Sequence, residues 1–83
     1  MDARTIPPRY QQMMNAQGFR DLVNEEYQAA LKADPGAFRI DSFDNLNEEY
    51  RRYFGCYRYI DYDCFSAAER RARKEAKEKA RLR

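Results

Sequence analysis

Apolar positions along the chain recur at helical rather than strand spacing. Phe19, Leu22, Val23, Tyr27, Ala30 and Leu31 fall on one stripe, and Asp34-Pro35-Gly36 stops it. This is the clearest amphipathic helix. Ahead of it, Pro7 and Pro8 introduce a short run, and Gly18 stands just past its end. That punctuation predicts a helix over about residues 8 to 17. Between 36 and 45, Phe38, Ile40 and Phe43 alternate with polar residues, which reads as an irregular connector or a short extended arm. Asn45 and Glu48 match a capping box, so the next helix opens near Leu46, with the stripe Leu46, Tyr50, Tyr53, Phe54 and Tyr57. Gly55 weakens it, and Asp61-Tyr62-Asp63 ends it. A second capping box, Ser66 to Glu69, opens a final helix over 67 to 83 that is dominated by Ala, Glu, Lys and Arg.

The predicted fold is all-α: three or four short helices in an extended, partner-dependent arrangement with a charged C-terminal helix. Residues 1–65 form an aromatic-rich docking segment and residues 66–83 the charged helix. Glu69 to Arg73 and Glu75 to Lys79 are favourable i,i+4 pairs, and Ala68, Ala72, Ala76 and Ala80 make a smooth seam.

Composition sharpens this picture. Eighty-three residues allow one domain at most, 36% of them charged, and the mean hydropathy is −1.04. Few residues are Ile, Leu, Val or Met, so a partner is expected to supply part of the burial. Five of the seven tyrosines and two of the five phenylalanines fall within residues 50–65. A tyrosine ring has an apolar face and a polar tip, which suits a half-buried contact. Tyr50, Tyr53, Phe54, Tyr57, Tyr59, Tyr62 and Phe65 are therefore the expected partner contacts.

The net charge of +2 hides a polarity: +5 from Ser66 onward against −3 before it. The basic tail, with Arg70, Arg71, Arg73, Lys74, Lys77 and Lys79, reads as a solvated face or as a second contact with an acidic surface. RNA is the alternative partner, with cations on phosphates and tyrosines on bases, as in a small ribosomal protein. No apolar run approaches the length of a membrane span, and the tail offers a bilayer headgroup contact at most. Met1 to Pro8 has neither a signal-peptide apolar stretch nor an Arg/Ser-rich presequence, so import would proceed without a cleaved leader unless one has been trimmed.

Catalysis has no foothold. The chain has no His and no Gly-rich phosphate loop. Glu25/Glu26 and Glu48/Glu49 are adjacent pairs whose members point apart on a helix. Cys56 and Cys64, the only cysteines, are too few for a closed zinc centre and too far apart for a Cys-x-x-Cys site, so neither metal nor cofactor is expected. On a continuous helix they would lie about 12 Å apart along the axis. Pairing would need a turn between them; two reduced thiols are the other reading.

The run Cys56-Tyr-Arg-Tyr-Ile-Asp-Tyr-Asp-Cys64, followed at once by a basic helix, resembles the second half of coiled-coil-helix-coiled-coil-helix proteins. These include small accessory subunits of mitochondrial complex I and cytochrome oxidase. The resemblance implies a Cys56–Cys64 disulfide and a non-catalytic accessory role in a respiratory-chain or ATP-synthase-type complex. It also implies a mitochondrial location peripheral to the inner membrane. The family carries two Cys-x9-Cys motifs, whereas this chain has one pair with seven residues between, so that family's doubly stapled hairpin cannot form here.

Overall fold

In a computed structural model, which describes residues 6–81, the chain is all-α with four helices: α1 Pro8–Met14, α2 Ala16–Ala33, α3 Arg39–Phe54 and α4 Tyr62–Arg81. Four boundaries differ from those predicted, at the end of α1, at both ends of α3 and at the start of α4. Asn15 breaks the first helix: its extended backbone ends α1, and its side chain accepts a hydrogen bond from the Gly18 amide at 3.1 Å, capping α2. Gly18 therefore lies in the first turn of α2 and is not a stop. A methyl group there would meet the Gln12 carbonyl oxygen at 2.3 Å, so the close approach of α1 and α2 needs glycine.

The connector over 36–45 is mostly helix. Phe43, Leu46 and Tyr50 share one face, and burying Phe43 extends α3 back to Arg39. Asn45 and Glu48 lie inside α3 and form no capping box. Gly55 closes this helix in the left-handed conformation at φ 86°, its amide donating to the Arg51 carbonyl at 2.7 Å. Tyr57 thus leaves the predicted stripe for the loop beyond. Asp61 starts α4 instead of ending α3: its carboxylate accepts from the Cys64 amide at 2.8 Å. Ser66 lies inside α4, and the boundary between 65 and 66 falls within its opening turns.

The core consists of Met13, Phe19, Leu22, Val23, Phe43, Leu46 and Phe65. Phe19 is edge-on to Phe65 at 5.8 Å and to Phe43 at 6.3 Å, while Phe43 stacks on Phe65 at 5.0 Å. Such ring pairs add about 0.5–1.5 kcal/mol each beyond area burial. Tyr10 on α1 stacks on Tyr53 of α3 at 3.9 Å. Beside it, Arg9 donates to Glu49 at 2.7 and 2.9 Å and to Glu26 at 3.1 Å, tying the three helices at the surface.

One polar assembly lies at the edge of this core. Arg39 forks onto Glu69 at 3.0 and 2.6 Å, donates to Asn24 Oδ1 at 3.2 and 2.9 Å, and lies over the Phe65 ring at 5.4 Å. It links α2, α3 and α4. Only the first turns of α4 pack inward, through Phe65 and Glu69; beyond Ala72 its described residues are exposed. The Cα radius of gyration is 14.6 Å and the extents are 46 × 36 × 22 Å; a compact chain of this length would have a radius of about 12 Å.

Glu69→Gln should lower stability to urea by about 2–3 kcal/mol. Fully buried pairs cost about 3–5 kcal/mol when broken, and here Glu69 and Arg39 keep 9% and 20% of their side-chain exposure. Replacing both by Leu should cost less than the sum of the single changes.

The pH dependence follows from Glu49, whose carboxyl is held below its ordinary value of 4.5 by hydrogen bonding to Arg9. A depressed folded value means that the contribution is complete above the ordinary range and is lost as pH falls through the folded value. Thermal melts should therefore drop below about pH 4.5, and Glu49→Gln should melt lower at neutral pH and drop less on acidification.

Candidate docking surface

The loop joining α3 to α4 is shaped by one buried amide. Asn47 Oδ1 accepts from the backbone amides of Arg58 and Tyr59 at 3.0 and 3.2 Å, and its Nδ2 donates to the Tyr59 carbonyl at 2.9 Å. These bonds replace a missing secondary-structure ladder. They turn Tyr59 inward against Phe19 and Phe65, at 5.5 and 5.3 Å. Tyr62 follows, edge-on to Phe43 at 5.5 Å.

Most of the rings expected to meet a partner therefore serve the fold. Phe65 is fully buried and belongs to the core, not to a contact surface. Tyr50, Tyr59 and Tyr62 are half-buried against that core, and Phe54 is half-buried between Tyr50 and Tyr53. Tyr53 keeps one exposed edge beside Tyr10. Tyr57 alone of the seven is more than half exposed, at 53%.

Around Tyr57 an open groove of about 450 Å³ runs between α3 and the loop. Phe43 and Tyr62 contribute to its lining, together with Ile40 at 43% and Ile60 at 89% exposure. Asp44, Glu48 and Asp61 give it an acidic border. Glu48 is drawn toward Arg51 and accepts from the Tyr57 hydroxyl at 2.9 Å, and the Arg51 guanidinium lies over the Tyr57 ring at 5.6 Å. Its carboxyl lies below the ordinary glutamate value, first because of the Arg51 hydrogen bond and then because of Tyr57. The groove offers apolar contact framed by negative charge.

Sequence alone assigns Asn47 and Ile60 no role, and reads Ile40 and Asp61 as part of a connector and as a helix stop, not as contacts. Ile60 had a signal: it is the one aliphatic residue between Gly55 and Phe65. Asn47 had none, because nothing in a helical stripe marks one amide as the anchor of a loop twelve residues ahead.

Cys56 and Cys64 are both exposed free thiols, the first in the loop and the second in the opening turn of α4. The disulfide implied by the resemblance is not formed. The Cys64 thiol is pushed above the ordinary 9.0 by its hydrogen bond to Asp61, with desolvation and the nearby charge adding to the shift. Among the described residues no group of three or more His, Cys, Asp or Glu side chains is placed to hold a metal ion, and no helix is long and apolar enough to cross a membrane.

All six cations singled out in the tail lie on α4 and are exposed. Arg73 approaches Glu69 at 3.6 Å, as the i,i+4 spacing predicts; the other predicted pair, Glu75 with Lys79, is not among the ion pairs of the described residues.

Comparison with family models, curated proteins and solved structures finds no match for this chain.

Asp61→Asn keeps a capping oxygen while removing the charge, so the Cys64 thiol should fall back toward its ordinary value. At pH 8, where a lower thiol pKa means more thiolate, alkylation of Cys64 by iodoacetamide should speed up several-fold. The rate at Cys56, measured in the same digest by mass spectrometry, should stay constant.

Proposed function

We propose that this chain is a non-catalytic accessory subunit of a larger assembly, docked through the groove between α3 and the 55–61 loop. The occupant is a neighbouring protein subunit that inserts an apolar side chain flanked by cations. The observation that carries this reading is the exposure of Ile60, Tyr57 and Ile40 around one acidic-bordered groove. The same stretch of chain buries or half-buries Tyr59, Tyr62 and Phe65. Apolar groups clustered in water, on a scaffold that sequesters their neighbours, suit a contact made after folding. The acidic border favours a cationic rim on the partner and disfavours phosphate-rich surfaces at this site.

The assembly in which we place the chain is of the organellar respiratory type, with the chain peripheral to the inner membrane. That placement is drawn from the resemblance around Cys56 and Cys64; the docking is drawn from the groove.

Ile60→Glu tests it. Burying an isoleucine is worth about 2 kcal/mol, on the order of thirtyfold in affinity, and a glutamate there adds repulsion to an already negative border. In native gels of cell extract, the tagged wild-type chain should migrate with a large assembly and the variant in the free pool. The purified variant should melt like wild type. Wild-type chain migrating at its own mass would refute the reading.

A further inference from the structure

The outer part of α4 carries an arrangement that the groove does not use. Arg70, Arg73, Lys74, Lys77 and Arg81 follow one another at i, i+3, i+4, i+7 and i+11. At 3.6 residues per turn they occupy about a third of the circumference. Arg71 and Lys79 fall on other sides, beside Glu78 and Glu75. Like charges at i,i+4 destabilise the helix that bears them, and among the described residues this row makes one ion pair, Arg73 with Glu69 at 3.6 Å.

Next to the row runs the alanine seam. Ala76 and Ala80 are exposed, and Ala72 is half-buried. At the base of this seam α4 and α2 border a cleft of about 240 Å³, with Gln17, Arg20 and Asn24 on the α2 side and Glu69, Ala72, Arg73 and Ala76 on the α4 side; the Glu69 carboxylate is already held by Arg39. A small-residue seam lets another helix axis approach closely, as side chains set the interaxial distance. Arg20 stands on one wall of the cleft and Arg73 on the other, the latter 3.6 Å from Glu69. No large apolar residue lies among the exposed positions from Arg70 to Arg81, so a bilayer has nothing to anchor. No aromatic ring lies there to stack on bases. The groove on α3 is negative, whereas this surface is positive, so the two select different partners.

We propose that the seam and its cation row form a second docking surface, and that its occupant is an acidic helix of a partner protein. The partner helix lies along Ala72, Ala76 and Ala80, with its carboxylates against Arg73 and Lys77 and its tip in the cleft beside Arg20. Close packing on alanine supplies the register, and charge supplies the selection.

The full chain can be titrated against a dye-labelled Glu/Ala helical peptide with glutamates at i, i+3, i+4 and i+7. A short RNA duplex and phosphatidylcholine/phosphatidylserine vesicles serve as the competing anions. The peptide should bind more tightly than either. Arg73→Gln/Lys77→Glu should weaken peptide binding about tenfold or more, the loss of roughly 1.4 kcal/mol. Ala76→Leu, which leaves charge intact at an exposed position, should weaken it comparably by blocking close approach. Circular dichroism should show both variants as helical as wild type. Tighter binding of RNA or vesicles would overturn the proposal in favour of a phosphate surface. No binding of the peptide, or an Ala76→Leu variant that binds it normally, would overturn it outright.

Discussion

The ion pair between Arg39 and Glu69 is the contact on which the position of α4 depends. Arg39 is the first residue of α3, where its own helix leaves the guanidinium free to reach sideways. Glu69 lies two turns into α4, and Asn24 supplies a third wall from α2. Burial alone would make Arg39 easier to deprotonate, but hydrogen bonds to Glu69 and Tyr62 outweigh it and hold the group more firmly charged. The desolvation cost of such a pair is offset only when its donors and acceptors are filled. Here the fork is bidentate, and the remaining donors find Asn24 and Tyr62. A hydrophobic replacement could match its stability but not its directionality. The pair sets which face of α4 meets the body, and hence where the alanine seam points.

The rest of the core makes economical use of rings. Three phenylalanines meet at a common point, and Tyr10, Tyr50, Tyr59 and Tyr62 pack against the core they form. A chain of this size has few aliphatic residues to spend on a conventional interior. Large rings recover the lost area in fewer positions, which leaves much of each helix free to carry charge.

Much of the helical content was legible in the sequence, because the apolar period over 19–31 and the Ala/Glu/Lys/Arg run after Ser66 are strong local signals. The end of α2 at Asp34 was legible too, but other boundaries were not: burial of Phe43 set the start of α3, and two more were decided by a competition between caps. Asn15 prevailed over Gly18 because its side chain could reach the amide three residues on. Asp61 prevailed over Ser66 because Phe65 had to be inside the helix to be buried. The tyrosine cluster was recognised as important, yet composition cannot say whether a ring faces a partner or its own core. Asn47 settled that by pulling Tyr59 inward, and the exposed remainder, Tyr57 with Ile60 and Ile40, fell to residues on both sides of the turn. The alanine seam and the basic tail were both visible, but their shared cleft required the tilt of α4 against α2.

Beyond Ala76 the described residues of α4 are exposed, and the helix there is maintained by local propensity. Three like-charge i,i+4 pairs in its cation row oppose that propensity by about 0.2–0.5 kcal/mol each. The free energy of opening should therefore grade along the helix, from large near Glu69 to small near Arg81, and amide exchange should follow the same gradient. Such a segment behaves as a spring wound from one end. It is ordered enough that capture costs little entropy, yet soft enough that its outer turns can bend toward what they meet before they stiffen.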